Sequence, residues 1–179
     1  MATALIEGRQ TFAFGATVWQ AVYRHDQSDM HVALSKHVQR LQAVDFVALG
    51  RQRNSVRIAF IEVKDYRESR HPPRLKELAE EVAAKVVGTL AGITAGCRSV
   101  PPQEHMRTAA GRLTQGADPL HVIIHFEAPV PGGGIPDEKA QLVTLAQLVE
   151  QSLSWLPRCR VIACSEAVPK IPDCPVTSA

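Results

Sequence analysis

The stretch that most restricts what this chain can fold into is residues 43–64. It opens with the apolar run AVDFVAL, passes through the polar segment GRQRNS and continues as VRIAFIEVK. Both runs are rich in branched and aromatic residues, which suit a pleated, buried surface, and a turn-forming segment joins them. The pattern predicts a β-hairpin. In its second strand Val56, Ile58, Phe60, Glu62 and Lys64 alternate onto one face. That face is apolar until its end, where an acid and a base stand two residues apart. Asp45 precedes Glu62 by 17 residues, and the midpoint between them falls between Arg53 and Asn54, inside the turn. An antiparallel hairpin closed there places Asp45 opposite Glu62 or one step away.

The rest of the chain alternates strands and helices around this hairpin. Phe12, Phe14 and the run from Val18 to Tyr23 read as one or two strands, and residues 30–42 lean towards a helix. A charged loop over 66–73 ends in Pro72-Pro73. Beyond it Leu75, Leu78, Ala79, Val82, Val86 and Leu90 recur at helical spacing, predicting an amphipathic helix over roughly 74–91 with Gly92 as its stop. A short helix at 104–114, a buried strand at 120–128, a loop at 129–137 and a helix at 138–156 N-capped by Asp137 follow. The last strand is 160–164. This order specifies an α/β chain of one domain, 1–179, with helices covering a mixed sheet. From about residue 166 the Pro-rich tail EAVPKIPDCPVTSA is expected to be loosely held.

Composition removes several classes. With 45% apolar and 21% charged residues the chain is not disordered. A net charge of +2 permits nucleic-acid binding without requiring it. Arg51, Arg53 and Arg57, then Arg67, Arg70, His71 and Arg74, form the local basic excess. Cys97, Cys159, Cys164 and Cys174 contain no CxxC pair, which argues against structural zinc. No apolar run reaches the length of a membrane span, and the N-terminus lacks a signal-peptide core, so a reduced, cytoplasmic protein is expected. PGGGIP at 131–136 lacks the Lys-Ser/Thr of a phosphate-binding loop, and no GxSxG motif supports a serine hydrolase. His121 and His125 share a strand face, where core histidines are commoner than metal ligands.

Two carboxylates held together repel unless one is protonated or a cation lies between them. Mg²⁺ suits such a pair, because it takes oxygen ligands and keeps waters for substrate phosphate. Lys64 beside the pair can hold a phosphate or position a water. The competing view makes Glu62 and Lys64 a cross-link at a solvated strand end and pairs Asp45 with an arginine. Asp65 reads as a strand-ending turn residue, and Lys85 as the i, i+4 ion-pair partner of Glu81.

AVDFVAL, the short turn and IAFIEVKD together resemble the D…ExK core of the PD-(D/E)xK nuclease superfamily. The helix RLKELAEEVAAKVVGTLAGI and the strand LHVIIHFE follow in that superfamily's order. The resemblance covers roughly residues 43–127. It implies a restriction-endonuclease-like mixed central sheet flanked by helices, with an αβββαβ core. It further implies a Mg²⁺- or Mn²⁺-dependent endonuclease or exonuclease acting on phosphodiester bonds, with DNA as the expected substrate. By the same carry-over Asp45, Glu62 and the Val63 carbonyl are metal ligands and Lys64 the catalytic lysine. Asp26 and Glu7 are candidates for the additional acid, and Lys85 for the polar residue contributed by the following helix. Val44 stands where the motif has proline, and the helix that usually precedes the hairpin is indistinct. The alternative is a PD-(D/E)xK-like scaffold that binds nucleic acid or protein without cleaving. A homodimer through the apolar face of the 138–156 helix is expected, since two antiparallel strands need two sites; the sequence contains no added DNA-reading domain, so specificity is expected to be low or borrowed from a partner protein.

Overall fold

The computed structural model describes residues 2–52, 55–69, 73–98, 104–115, 119–128 and 137–178. The hairpin tip at Arg53-Asn54, the loop end at Arg70–Pro72 and the segment 129–136 lie outside the described residues.

The expected hairpin forms from β4 (Phe46–Gln52) and β5 (Ser55–Asp65). Their antiparallel register pairs Phe46 with Ile61 and Gly50 with Arg57. On one side of β4 lies β3 (Trp19–Arg24), antiparallel to it. On the far side of β5 lie β6 (Leu120–Glu127) and β7 (Cys159–Cys164), both parallel to β5. The result is a five-stranded mixed sheet in the order β3-β4-β5-β6-β7. Parallel neighbours need long crossovers, and these are the helices α2 (Leu75–Gly96), α3 (Glu104–Gln115) and α4 (Glu138–Ser152). Asp137 caps α4 as expected, accepting from the Lys139 amide at 3.2 Å.

The helices do not flank the sheet on both faces. One face packs Leu49, Ile58, Phe60, Val122 and Ile124 against Leu78, Val82 and Val86 of α2 and Leu142, Leu145 and Val149 of α4. The other face packs Trp19, Phe46, Ala59, Ile61 and Ile123 against Phe12 and Phe14. What covers it is a second, three-stranded antiparallel sheet in the order β1-β2-β8, made from β1 (Thr3–Glu7), β2 (Gln10–Phe14) and β8 (Val176–Ser178). Aromatic side chains on one sheet thus do what a second helical layer was expected to do.

The tail is not loose. Ile171 and Cys174 are buried, and β8 pairs with β2. The Trp19 indole donates to the Pro172 carbonyl at 2.6 Å, and the Gly15 amide donates to the Asp173 carbonyl at 2.7 Å. Proline removes a donor but leaves its carbonyl as an acceptor, so a Pro-rich segment still ties into a fold that supplies the donors.

Helix α2 also runs past Gly92 to Gly96. Its glycines are there for closeness. A Cβ on Gly88 would stand 1.8 Å from the Gln42 carbonyl, and one on Gly92 would meet the His25 ring at 3.0 Å. The ambiguous 30–42 segment forms only a two-turn helix, α1 (Asp29–Ser35), capped by Ser28. The apolar face of α4 is spent on the core, leaving Val143 as its exposed large hydrophobe. Among the described residues no helix is long and apolar enough to cross a membrane.

Candidate active site

Strand alternation sends Ile58 and Phe60 of β5 into the helix-side core, and Glu62 and Lys64 follow on that same face. Glu62 is 0% exposed and Lys64 14% by side chain. The solvated strand end assumed by the cross-link view is therefore absent. Asp45 sits in the bend just before β4, where continuing the β4–β5 register brings it opposite Glu62. It is held there from three directions. Its carbonyl accepts from the His25 amide at 3.0 Å. Its Oδ2 accepts from the Val63 amide at 2.7 Å. The neighbouring Val44 amide donates to the Thr89 hydroxyl of α2 at 3.0 Å. No arginine pairs with Asp45 among the described residues.

Helix α2 closes the site from above. Lys85 Nζ lies 2.6 Å from Glu62 Oε1, but 4.0 Å from Glu81. The plain i, i+4 pairing expected for Lys85 is the weaker of its two contacts. Lys64 Nζ lies 3.1 Å from Glu62 Oε1 and 2.6 Å from Glu81 Oε1. Glu62 Oε2 is buried and meets no hydrogen-bond partner among the described residues, and the same holds for Asp26 Oδ1. Glu7 comes in from β1, ion-paired to Arg24 at 3.2 Å.

The electrostatics bind these acids into one cluster. Burial pushes Glu62 up to about 7 from its ordinary 4.5, and the negative charge of Asp45 adds to that, against the opposing pull of Lys85 and Lys64. Asp45 is raised by burial, opposed by the Val63 N–H and Lys85, and raised further by Asp26. Glu7 is raised by burial and then by Asp45. For Lys64, burial alone would favour the neutral amine, but Glu62 and Glu81 outweigh it and raise its pKa. Glu7, Asp26, Asp45, Glu62 and Glu81 thus stand against Arg24, Lys64 and Lys85, leaving two negative charges unbalanced when all are ionised. Among the described residues no three Asp, Glu, His or Cys side chains already stand as a metal-holding group.

The structure brings together Asp45, Glu62, Lys64 and Lys85, with Asp26 and Glu7 within electrostatic reach. Sequence reasoning missed Glu81 as a member in its own right. Its signal was present: Glu81, Lys85 and Thr89 recur every four residues beside the apolar row of α2, a polar line on the edge of a buried face. Tyr66 was missed as well. It is half-buried, and burial raises its pKa while Lys64, Glu81 and Glu62 act on it. Asp65 is no part of the site and takes Arg67 in a two-pronged pair, at 2.6 and 2.9 Å. His125 lies on the opposite sheet face, where its Nε2 is 2.9 Å from both Glu127 Oε1 and the Gln10 amide nitrogen. It is a partnered core histidine. No family model, curated protein or solved structure matches this chain.

Proposed function

We propose that the chain is a Mg²⁺- or Mn²⁺-dependent nuclease that hydrolyses phosphodiester bonds, with DNA as the favoured substrate, at the site built on Asp45, Glu62 and Lys64. The observation that carries this reading is Glu62. It is wholly buried, has one oxygen without a partner among the described residues, and stands across from a second buried carboxylate. An unpartnered carboxylate oxygen in such a place costs several kcal/mol unless a cation or proton meets it. The two unbalanced negative charges of the cluster match one divalent cation.

The donors are all oxygens, two carboxylates foremost, the chemistry that hard cations take. Glu62 Oε2 and Asp45 would hold the ion, with Asp26 and Glu7 as further acids within electrostatic reach and the Val63 carbonyl a ligand by resemblance. When bound, such an ion polarises a phosphate oxygen and lowers the pKa of a coordinated water. The chain's own part is separate. Lys64 stays cationic next to Glu62 and Glu81, placing a fixed positive charge where a scissile phosphate would bring its oxygens. Glu81 holds that ammonium in place from the solvent side, and the Val63 N–H orients Asp45.

The fold supports the restriction-endonuclease-like assignment in part. Three consecutive antiparallel strands, β3, β4 and β5, are followed by α2 and by β6 parallel to β5. The departures are the lack, among the described residues, of a helix before β3, α1 inserted between the first two of those strands, α3 added between α2 and β6, and the β-sheet that takes the place of one helical layer.

One observation favours the binding-module alternative: Lys85 already sits 2.6 Å from Glu62, as a built-in cation. A single experiment separates the two. Plasmid and single-stranded DNA are incubated with the protein in Mg²⁺, Mn²⁺ or EDTA, beside the Glu62→Gln variant. Metal-dependent cleavage that is lost in the variant supports the nuclease; DNA binding without cleavage in any metal supports the module.

A further inference from the structure

Helix α2 faces the sheet with its buried row and is flanked by α3 and α4. From Glu80 onward the exposed positions of α2 are Glu80, Ala84, Val87, Ala91 and Thr94, and Arg98, in the turn just past its end, is exposed next. Their spacing alternates four and three residues, so they form one straight stripe with the repeat of a helix–helix seam. The outward stripe of an isolated helix is ordinarily charged. This one is apolar through its middle, with Val87 47% exposed. Beside it runs a groove of about 720 Å³ bounded by Leu90, Ala95 and Trp155, and Trp155 is itself 58% exposed. Charge is confined to the two ends, an acid at Glu80 and a base at Arg98, and neither makes an ion pair among the described residues.

We propose that this stripe packs antiparallel against the same stripe of a second copy of the chain, about a two-fold axis near residue 89. The spacing reads the same in both directions, so the axis carries every stripe position onto another. Glu80 meets Arg98 of the second copy at both ends, Ala84 meets Thr94, and Val87 meets Ala91. A parallel pairing would set Glu80 against Glu80 and Arg98 against Arg98, which like-charge repulsion disfavours. The alanines permit the close approach that tight helix pairs need, and Trp155 supplies the large, exposed apolar anchor typical of interfaces. The contact is isologous and closed, so it stops at two copies. Glu81 and Lys85 face the sheet, so this interface is independent of the reaction proposed above. It differs from the dimer expected on α4, whose apolar face is taken by the core.

The test is sedimentation velocity of the full chain from low to high micromolar concentration. The expected result is a concentration-dependent dimer. Glu80→Arg and Arg98→Glu should each weaken it by about tenfold or more, since each sets like charges at both ends. Mixing these two variants should restore the dimer, because each then offers the charge the other lacks. Val87→Glu should abolish it, and iodide should quench Trp155 fluorescence more in that variant than in wild type. A wild-type protein that stays monomeric at high micromolar concentration overturns the proposal. So does a dimer indifferent to the charge variants, or a Val87→Glu protein that loses stability without changing mass, which would mean that a segment of the same chain covers the stripe.

Discussion

Glu62→Gln isolates the charge on which the site rests, with little change of shape. In the folded protein Glu62 ionises at about 7, because burial first and Asp45 second disfavour the carboxylate. In the unfolded chain it ionises near the ordinary value of 4.5. A folded pKa raised for an acid means that the stabilising state is the protonated one. Its contribution is complete below the unfolded value and is lost as pH rises towards the folded value. Two and a half units correspond to about 3 kcal/mol, spent between roughly pH 4.5 and 7. The glutamine variant has no proton to lose there. Urea unfolding in EDTA at several pH values should therefore show wild type losing stability relative to the variant as pH rises, by up to about 3 kcal/mol. Adding Mn²⁺ at pH 8 should close most of that gap. A site filled to 100 times its dissociation constant adds about 2.7 kcal/mol to wild type, and far less to the variant, which lacks the anionic oxygen. Parallel stability–pH curves for the two proteins would refute the burial argument. Equal stabilisation of both by Mn²⁺ would refute the placement of the ion.

Lys64→Ala should abolish DNA cleavage while keeping the Mn²⁺-induced rise in Tm, because it removes the phosphate-facing charge and no metal ligand; retained cleavage at the wild-type rate would remove Lys64 from the mechanism. Gly88→Ala drives a methyl group into the Gln42 carbonyl, 1.8 Å away, and should cost about 2–3 kcal/mol in chemical denaturation, whereas a loss under 0.5 kcal/mol would show that the 42–45 segment moves freely. His121 is held near 4 by burial, with Arg57 and Arg160 adding to it. Its neutral form contributes stability that is present above 6.5 and lost as pH falls from there towards 4. His121→Gln should flatten that acid limb, and an unchanged limb would show that the loss arises elsewhere.

The hairpin was legible because two independent signals agreed, β-rich composition and the period-two placement of Glu62 and Lys64 at the end of an apolar face. Residue counting then placed Asp45, and the register bears this out, since Phe46 opposite Ile61 leads to Asp45 opposite Glu62. What the sequence could not show was who covers each face. Period-two patterning says that a residue is inside, and says nothing of whether a helix or a sheet lies over it. That is why the layer formed by Phe12 and Phe14 was not foreseen as a second sheet, and why the Pro-rich tail that completes it was read as loose. Gly92 misled for a related reason. A glycine near the end of a helical pattern signals a stop by its backbone freedom, but in α2 its small size is what matters, because it lets the His25 loop press close.

The same distinction governs the site. Short-range arithmetic along one strand pair finds Asp45, Glu62 and Lys64. The lysine that touches Glu62 most closely comes from a helix 23 residues further on, and its partner cannot be chosen from i, i+4 spacing alone. Lys85 had two acids within reach. The buried one won, because an unpaired carboxylate in a low-dielectric interior gains far more from a cation than an exposed one does. Glu81, left at the rim with 35% of its side chain exposed, then took Lys64. A polar residue beside the buried row of a helix should therefore be matched first to the least solvated opposite charge across the core, and only afterwards to its neighbour along the helix.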